Sequence, residues 1–205
     1  MPPDFLALIE QSTEALVHSG IMTQSLKPGD PMPNFILPNA GGSSIVLQSL
    51  LIKGPVIISF FQGVWCPFCC LELMAWQEAL PTIQALGATV VAISPQTLEY
   101  SQSTVEQLSL TYDVLSDRGN QVARQFGLVY QIPDYLHSIF AAMGHPLPLY
   151  NGDHSYELPL TGTFVVDQQG SVIYRFVDPD FTKRAEPADV IQVLRDLAVS
   201  TEPIN

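Results

Sequence analysis

The three cysteines of this 205-residue chain, Cys66, Cys69 and Cys70, sit within five positions, in "SFFQGVWCPFCCLELMAWQ". Cys66-Pro67-Phe68-Cys69 is a C-x-x-C pair between a run of strand formers and a run with helical spacing. Such a pair at a strand-to-helix junction points to dithiol redox chemistry. Proline suits the first helical position, where its missing N–H costs nothing, so Pro67 places Cys66 at the N-cap. The sulfur of Cys66 then faces the free N–H groups and the positive end of the helix dipole. Both favour the thiolate, and Cys66 is expected to be a low-pKa, exposed nucleophile. Cys69 lies about one turn on, within reach of Cys66. It heads the apolar stripe Cys69, Leu73, Trp76, Leu80 and Ile83, so it is expected to be buried, with a raised pKa suited to the partner that attacks a mixed disulfide formed at its neighbour. Cys70 is turned about 100° around the helix from Cys69 and is expected to pack rather than react. No second C-x-x-C accompanies the pair, and the histidines are scattered, so a metal site is not expected.

The elements that must hold this turn can be read on either side of it. "GPVIISFF" at 54–61 is apolar throughout, as a strand covered on both faces is. Residues 67–86 have helical spacing, and "ATVVAISP" at 88–95 is a second buried strand; together they make a βαβ unit. A polar-faced helix over 97–109 follows, then the strand "YDVLSD" and the short helix "NQVARQFG", with Asn120 as cap and Gly127 as stop. The turn chemistry of "GTFVVD-QQGS-VIYRFV" at 162–177 predicts an antiparallel hairpin, and "EPADVIQVLRDLAV" closes the domain as a helix. Upstream, "ILPNAGGSSIVLQSL" reads as two short strands around a Gly-Gly turn.

Two segments stand apart from this alternation. Residues 1–25 form a helical extension with Phe5, Leu8, Ile9 and Leu16 along one face, joined by the Pro- and Gly-rich "SLKPGDPMPNF" to a domain over 26–200. Residues 128–160 form a long insertion with four prolines and three of the four histidines. Connections of this length are usually functional or carry structure of their own, and "DYLHSIFAAMG" is a candidate helix.

Composition narrows the partners. The formal net charge of −12 disfavours phosphate backbones and anionic membrane surfaces. The apolar runs fall short of the roughly 20 residues of a membrane span, and the acidic N-terminus lacks the basic start of a signal peptide. A cytoplasmic protein is expected, in a reducing compartment where clustered cysteines are catalytic more often than structural. A chain of this length buries roughly 70% of its unfolded surface and needs no disulfide staple.

"LKPGDPMPNFILPNAGGSSIVLQSL", "GPVIISFFQGVWCPFC", "ATVVAISPQ", "LSDRGNQVARQFGL" and "TGTFVVDQQGSVIYRFV" together resemble the AhpC/TSA peroxiredoxins, closest to a peroxiredoxin-like subgroup carrying W-C-P-x-C. The resemblance covers about residues 26–197. It implies an α/β thioredoxin-like fold, a central mixed β-sheet with helices on both faces, with the N-terminal helix and the insertion before the C-terminal hairpin added. It also implies a thiol-dependent peroxidase with no metal or organic cofactor. One cysteine attacks the peroxide, its partner condenses with the resulting sulfenic acid, and a thioredoxin- or glutaredoxin-type dithiol reduces the pair. Related folds dimerise through sheet edges or helix faces, so a homodimer is expected.

Two departures from the family pattern bear on the site. The family's Pro-x-x-x-Thr/Ser-x-x-Cys carries a hydroxyl that, with a remote arginine, activates peroxide. Against "CCLEL", that pattern puts Cys69 at the attacking position and Cys66 at the threonine; counted from Cys66, it puts Gly63 there. Neither register supplies the hydroxyl. Thr161, expected in a trans peptide, stands where relatives carry a cis-proline or an arginine. Helix position favours Cys66 as the attacking thiol and the family register favours Cys69. Arg118, Arg124 and Arg175 are candidates for electrostatic support, and His154 for a base. A second reading uses the same residues as a thioredoxin-like protein thiol–disulfide oxidoreductase, with Trp65 part of an exposed docking surface; a third is a binding protein on a thioredoxin fold, in which the 128–160 segment contacts a partner and the cysteines are incidental.

Overall fold

The computed structural model describes residues 3–201, with side chains described over 7–199; the side chain of Phe5 and the last residues lie outside that range. The centre is a five-stranded sheet in the order β5-β4-β3-β8-β9. β3 (Val56–Phe60), β4 (Thr89–Ser94) and β5 (Asp113–Ser116) run parallel. β8 (Gly162–Val166) returns antiparallel against β3, and β9 (Val172–Val177) pairs antiparallel with β8. This is the mixed sheet expected from the sequence. β3 and β8 are buried along their whole length, which is why their sequences show no polar alternation.

The two faces carry two cores. On one, Ile58, Phe60, Ile93, Phe126 and Phe164 pack with Leu47 and Leu51 of α3 (Leu47–Leu51) and Val122 of α6 (Gln121–Gln125). On the other, Ile57, Ala92 and Val165 pack against Leu73, Trp76 and Ile83 of α4 (Pro67–Ala85) and Val190 and Leu194 of α9 (Pro187–Thr201). α5 (Leu98–Leu108) adds Val105 and Leu108 to the second core. The stripe read from the sequence along α4 is buried as expected, and one residue on that face was not anticipated: Glu72, 5% exposed.

The short helix after β5 is capped differently from expectation. Asn120 holds the N-cap position in a left-handed conformation without a side-chain cap bond. Asp117 does the capping: its carboxylate accepts the N–H groups of Val122 and Ala123 at 2.9–3.0 Å. A carboxylate three residues upstream reaches the free amides because the left-handed Asn120 folds the chain back over it.

The insertion is a closed excursion with its own structure. β6 (Val129–Gln131) pairs antiparallel with β7 (Glu157–Pro159) at its neck. Between them lie α7 (Asp134–Ala142) and α8 (Leu147–Asn151). Ile132, Leu136, Phe140, Leu147 and Leu158 form a small core that also receives Leu8, Ile9 and Trp65. Leu8 and Ile9 belong to α1 (Pro3–His18), so the N-terminal helix and the insertion meet over the cysteine turn. A two-stranded hairpin, β1 (Ile36–Pro38) with β2 (Ser44–Val46), and the short α2 (Ile21–Gln24) complete the chain.

Candidate active site

Cys66 is the N-cap of α4, with Pro67 at the first helical position. Its sulfur accepts the backbone N–H of Cys69 at 3.4 Å. The Cys66 thiol is held below the ordinary 9.0 chiefly by a hydrogen bond from the Cys69 side chain; burial opposes this, and the Cys69 amide and the Arg184 charge assist. Cys69 is fully buried, and burial, then its hydrogen bond to Cys66 and the Cys66 charge, push its thiol well above 9.0. The division between a low-pKa and a high-pKa thiol is thus as read from the sequence.

One expectation is overturned. Cys66 is not exposed: its relative accessibility is 2%. The insertion and α1 cover the end of α4 that a bare strand–turn–helix unit would leave open. Cys66 instead forms part of the wall of a cavity of about 360 Å³, lined by Ile9 and Leu16 from α1, Leu136 and Phe140 from α7, and Trp65 and Phe68 beside the thiol. Trp65 is half-buried, edge-on to Phe140 at 5.5 Å and tilted against His145 at 5.9 Å. It is a wall of this cavity and not an open docking face. Cys70 is half-buried, donates its S–H to the carbonyl of Val64 at 3.2 Å, and is pushed up by burial.

The guanidinium at the site comes from none of the three candidate arginines but from Arg184. Arg184, between β9 and α9, places Nη2 3.6 Å from the Cys69 sulfur. It is anchored by the carbonyls of Phe181 and Lys183, and its Nε lies 2.7 Å from Oε2 of Glu72. Neither of those two atoms completes a well-directed hydrogen bond, so the contact is an ion pair by distance. Oε1 of Glu72 accepts from Ser59 (3.2 Å) and Thr163 (3.3 Å), which face each other across the β3–β8 pair. Burial pushes the Glu72 carboxyl up, against the lowering effect of Arg184. The three named arginines serve elsewhere: Arg118 bonds the Gly152 carbonyl, Arg124 pairs with Glu157, and Arg175 holds Ser25. His154 is exposed and does not line the cavity. Glu72, next to the apolar stripe of α4, and the hydroxyls of Ser59 and Thr163 in otherwise apolar strands are the sequence signals for this network.

Thr161 is buried, its Oγ1 has no hydrogen-bond partner, and it does not line the cavity. No peptide bond among the described residues is cis. Gly63 has φ +153°, and a Cβ there would fall 2.5 Å from Nε1 of Trp65. The position counted back from Cys66 to the family's threonine therefore has no room for a side chain.

A mixed sheet carrying a C-x-x-C pair at the start of a buried helix, one thiol acidic and the other sunk beneath an arginine, defines a thioredoxin-fold thiol oxidoreductase. Residues 28–175 match the AhpC/TSA family. The chain belongs to that family and takes its place among the peroxiredoxin-like, thiol-dependent peroxidases. It is 34% identical over 104 residues to a Buchnera aphidicola protein named as a peroxiredoxin, bcp; the match spans 51% of this chain and 65% of that protein. Among solved structures it is similar to the peroxidoxin BcpB of Mycobacterium tuberculosis, with a TM-score of 0.67 and 23% identity over 84% of this chain and 98% of that one. It is similar too to the bacterioferritin comigratory protein of Xanthomonas campestris, described for its alkyl peroxide reduction activity, with a TM-score of 0.63 and 15% identity over 82% and 99%. No helix among the described residues is long and apolar enough to cross a membrane.

Proposed function

We propose that the protein reduces organic hydroperoxides, with Cys66 as the attacking thiol and Cys69 as the resolving one. The observation that carries this is the apolar cavity against which Cys66 lies. Its volume suits the hydrocarbon body of a small organic molecule. Burying that body contributes roughly 0.8 kcal/mol per CH₂, which hydrogen peroxide forgoes.

The Cys66 thiolate attacks the terminal oxygen of ROOH. The S–O bond forms as the O–O bond breaks, giving Cys66-SOH and RO⁻, which takes a proton to leave as ROH. The Cys69 sulfur then displaces hydroxide from Cys66-SOH; the Cys69 proton and that hydroxide leave as water, and a disulfide remains. The two cysteines are one turn apart, a separation a disulfide can span. The Arg184 guanidinium, 3.6 Å from the Cys69 sulfur, offsets the cost of ionising that buried thiol. An external thioredoxin- or glutaredoxin-type dithiol returns the pair to thiols, in a cytoplasm whose poise keeps such reductants available. A homodimer is compatible with this scheme and is not required by it.

The disulfide-shuttle reading is less well served. A folded partner would have to bring its disulfide to a sulfur that is 2% exposed, whereas a small hydroperoxide need only enter the cavity. Stopped-flow oxidation with hydrogen peroxide, cumene hydroperoxide and a fatty-acid hydroperoxide, in wild type and in Cys66→Ser, tests the proposal. Organic hydroperoxides should react faster, and only when Cys66 is present. Slow reaction with all three alongside rapid reduction of an insulin-type disulfide would overturn it.

A further inference from the structure

The geometry points to Tyr130 as the hydrogen-bond donor that stabilises the leaving oxygen when Cys66 attacks a hydroperoxide. This rests on the peroxidase reading above and adds a residue to it.

When the O–O bond breaks, negative charge develops on the oxygen that departs with the organic group. Against apolar walls that charge is costly unless a donor already faces it. The turn that carries the thiol provides no side-chain hydroxyl: Gly63 has no side chain and no space for one. The indole N–H of Trp65 is buried without a hydrogen-bond partner and lies close over the backbone of Gly63. Ser12 and Thr13 border the cavity from α1, an element separate from the turn that carries the thiol.

Tyr130 is placed differently. It lies on β6, at the neck of the insertion, and its side chain borders the same cavity as Cys66 and Gln62. Its phenolic oxygen accepts Nε2–H of Gln62 at 3.0 Å. A phenol that accepts one hydrogen bond keeps its own proton free to give in another direction. Gln62 follows β3 and leads directly into the thiol turn, so this bond ties the phenol to the segment that positions Cys66. Burial raises the phenol above its ordinary 10.0, and the charges of Cys66 and then Cys69 raise it further. The group therefore stays protonated, as a donor must, and the sulfurs are close enough to act on it.

The step needs no reagent beyond water. Two electrons pass from sulfur to the peroxide, the terminal OH stays on Cys66 as sulfenic acid, and RO⁻ departs hydrogen-bonded to Tyr130. The alkoxide takes the phenolic proton and water reprotonates the phenol, so Tyr130 is unchanged over the cycle.

The test is Tyr130→Phe, which keeps the ring and removes the donor. Two reactions are compared in the full chain: oxidation by cumene hydroperoxide, and alkylation by iodoacetamide, which uses the thiolate and has no leaving oxyanion. The oxidation rate constant should fall about 100-fold while alkylation is unchanged. The fall should shrink for hydroperoxides whose leaving alcohols are stronger acids. Gln62→Met, which frees the phenol from its partner, should lower oxidation about 5-fold by the same pattern, and it provides the test if the phenylalanine variant does not fold. Wild type fast with peroxide and Tyr130→Phe equally fast would overturn the role of Tyr130 and leave the peroxidase reading standing. Equal loss in oxidation and alkylation would overturn it as well, since the phenol would then be serving the thiolate. A wild type that is itself slow with peroxide overturns the peroxidase reading, and this inference with it.

Discussion

The backbone N–H of Cys69 points at the sulfur of Cys66 from 3.4 Å, and the Cys69 side chain is the largest influence lowering the Cys66 pKa. Each thiol therefore acts on the other, although burial is the largest cause that raises Cys69. Cys69→Ala should raise the Cys66 pKa, and Cys69→Ser, which retains a hydroxyl donor, should raise it less. Thiolate absorbance near 240 nm followed against pH, with Cys70→Ala as background, measures this. A lowered pKa means that thiolate forms at lower pH, so the wild-type rate of sulfenylation should rise and level off before pH 9.0. In Cys69→Ala the same limb should move upward.

The roles assigned to the two thiols predict different products. Cys66→Ser should show no rapid oxidation. Cys69→Ser should react with the first equivalent of hydroperoxide and stop at a sulfenic acid that dimedone traps. Intact-mass spectrometry after one turnover separates these outcomes. A trapped sulfenic acid on Cys69 in Cys66→Ser, formed at the wild-type rate, would reverse the assignment.

Arg184→Met should leave Glu72 buried without its counter-charge. Breaking one partner of such a pair costs about 3–5 kcal/mol, and the double variant Glu72→Leu/Arg184→Met should cost less than the single one. A carboxyl whose folded pKa is raised retains its stability below the unfolded pKa and loses it as pH rises through the folded value. Urea melts should therefore show a small Arg184→Met defect near pH 4 that grows toward pH 7. The variant should also form the Cys66–Cys69 disulfide more slowly after sulfenylation, because the guanidinium beside the Cys69 sulfur is gone.

Gly63→Thr places the family's hydroxyl where the sequence lacks it, and the structure has no room for it. The new Cβ would lie 2.5 Å from the Trp65 indole at a backbone angle that suits glycine. A loss of about 2 kcal/mol is expected, with a change in tryptophan fluorescence as Trp65 leaves Phe140. Peroxidase activity should fall with it.

Leu136→Trp should fill part of the cavity from α7. The KM for cumene hydroperoxide should rise while the rate with hydrogen peroxide stays within about 2-fold, since burial of the hydrocarbon body supports only the larger substrate. Steady-state assays coupled to a thioredoxin system measure both.

Much of this protein was legible in the chain itself because its causes are local. Apolar runs of strand length, turn glycines and the Pro67 start of α4 depend on near neighbours, and they predicted β3, β4, the β8–β9 hairpin and the ranking of Cys66 against Cys69. The helix within "DYLHSIFAAMG" was read for the same reason. What depends on distant segments meeting was not legible. Burial of Cys66 follows from α1 and the insertion closing over one end of α4, residues more than 40 positions away on either side. Arg184 reaches Cys69 across 115 positions, and only its path around the end of β9 distinguishes it from Arg118, Arg124 and Arg175. The hydroxyls of Ser59 and Thr163 in otherwise apolar strands become intelligible once Glu72 is seen beneath them. The sequence by itself determined that a dithiol would stand at the head of a buried helix, because helix-end electrostatics act within one turn. The tertiary structure decided what surrounds that dithiol, an apolar cavity on one side and an arginine–glutamate pair on the other, because chain segments far apart in sequence must pack together before either exists.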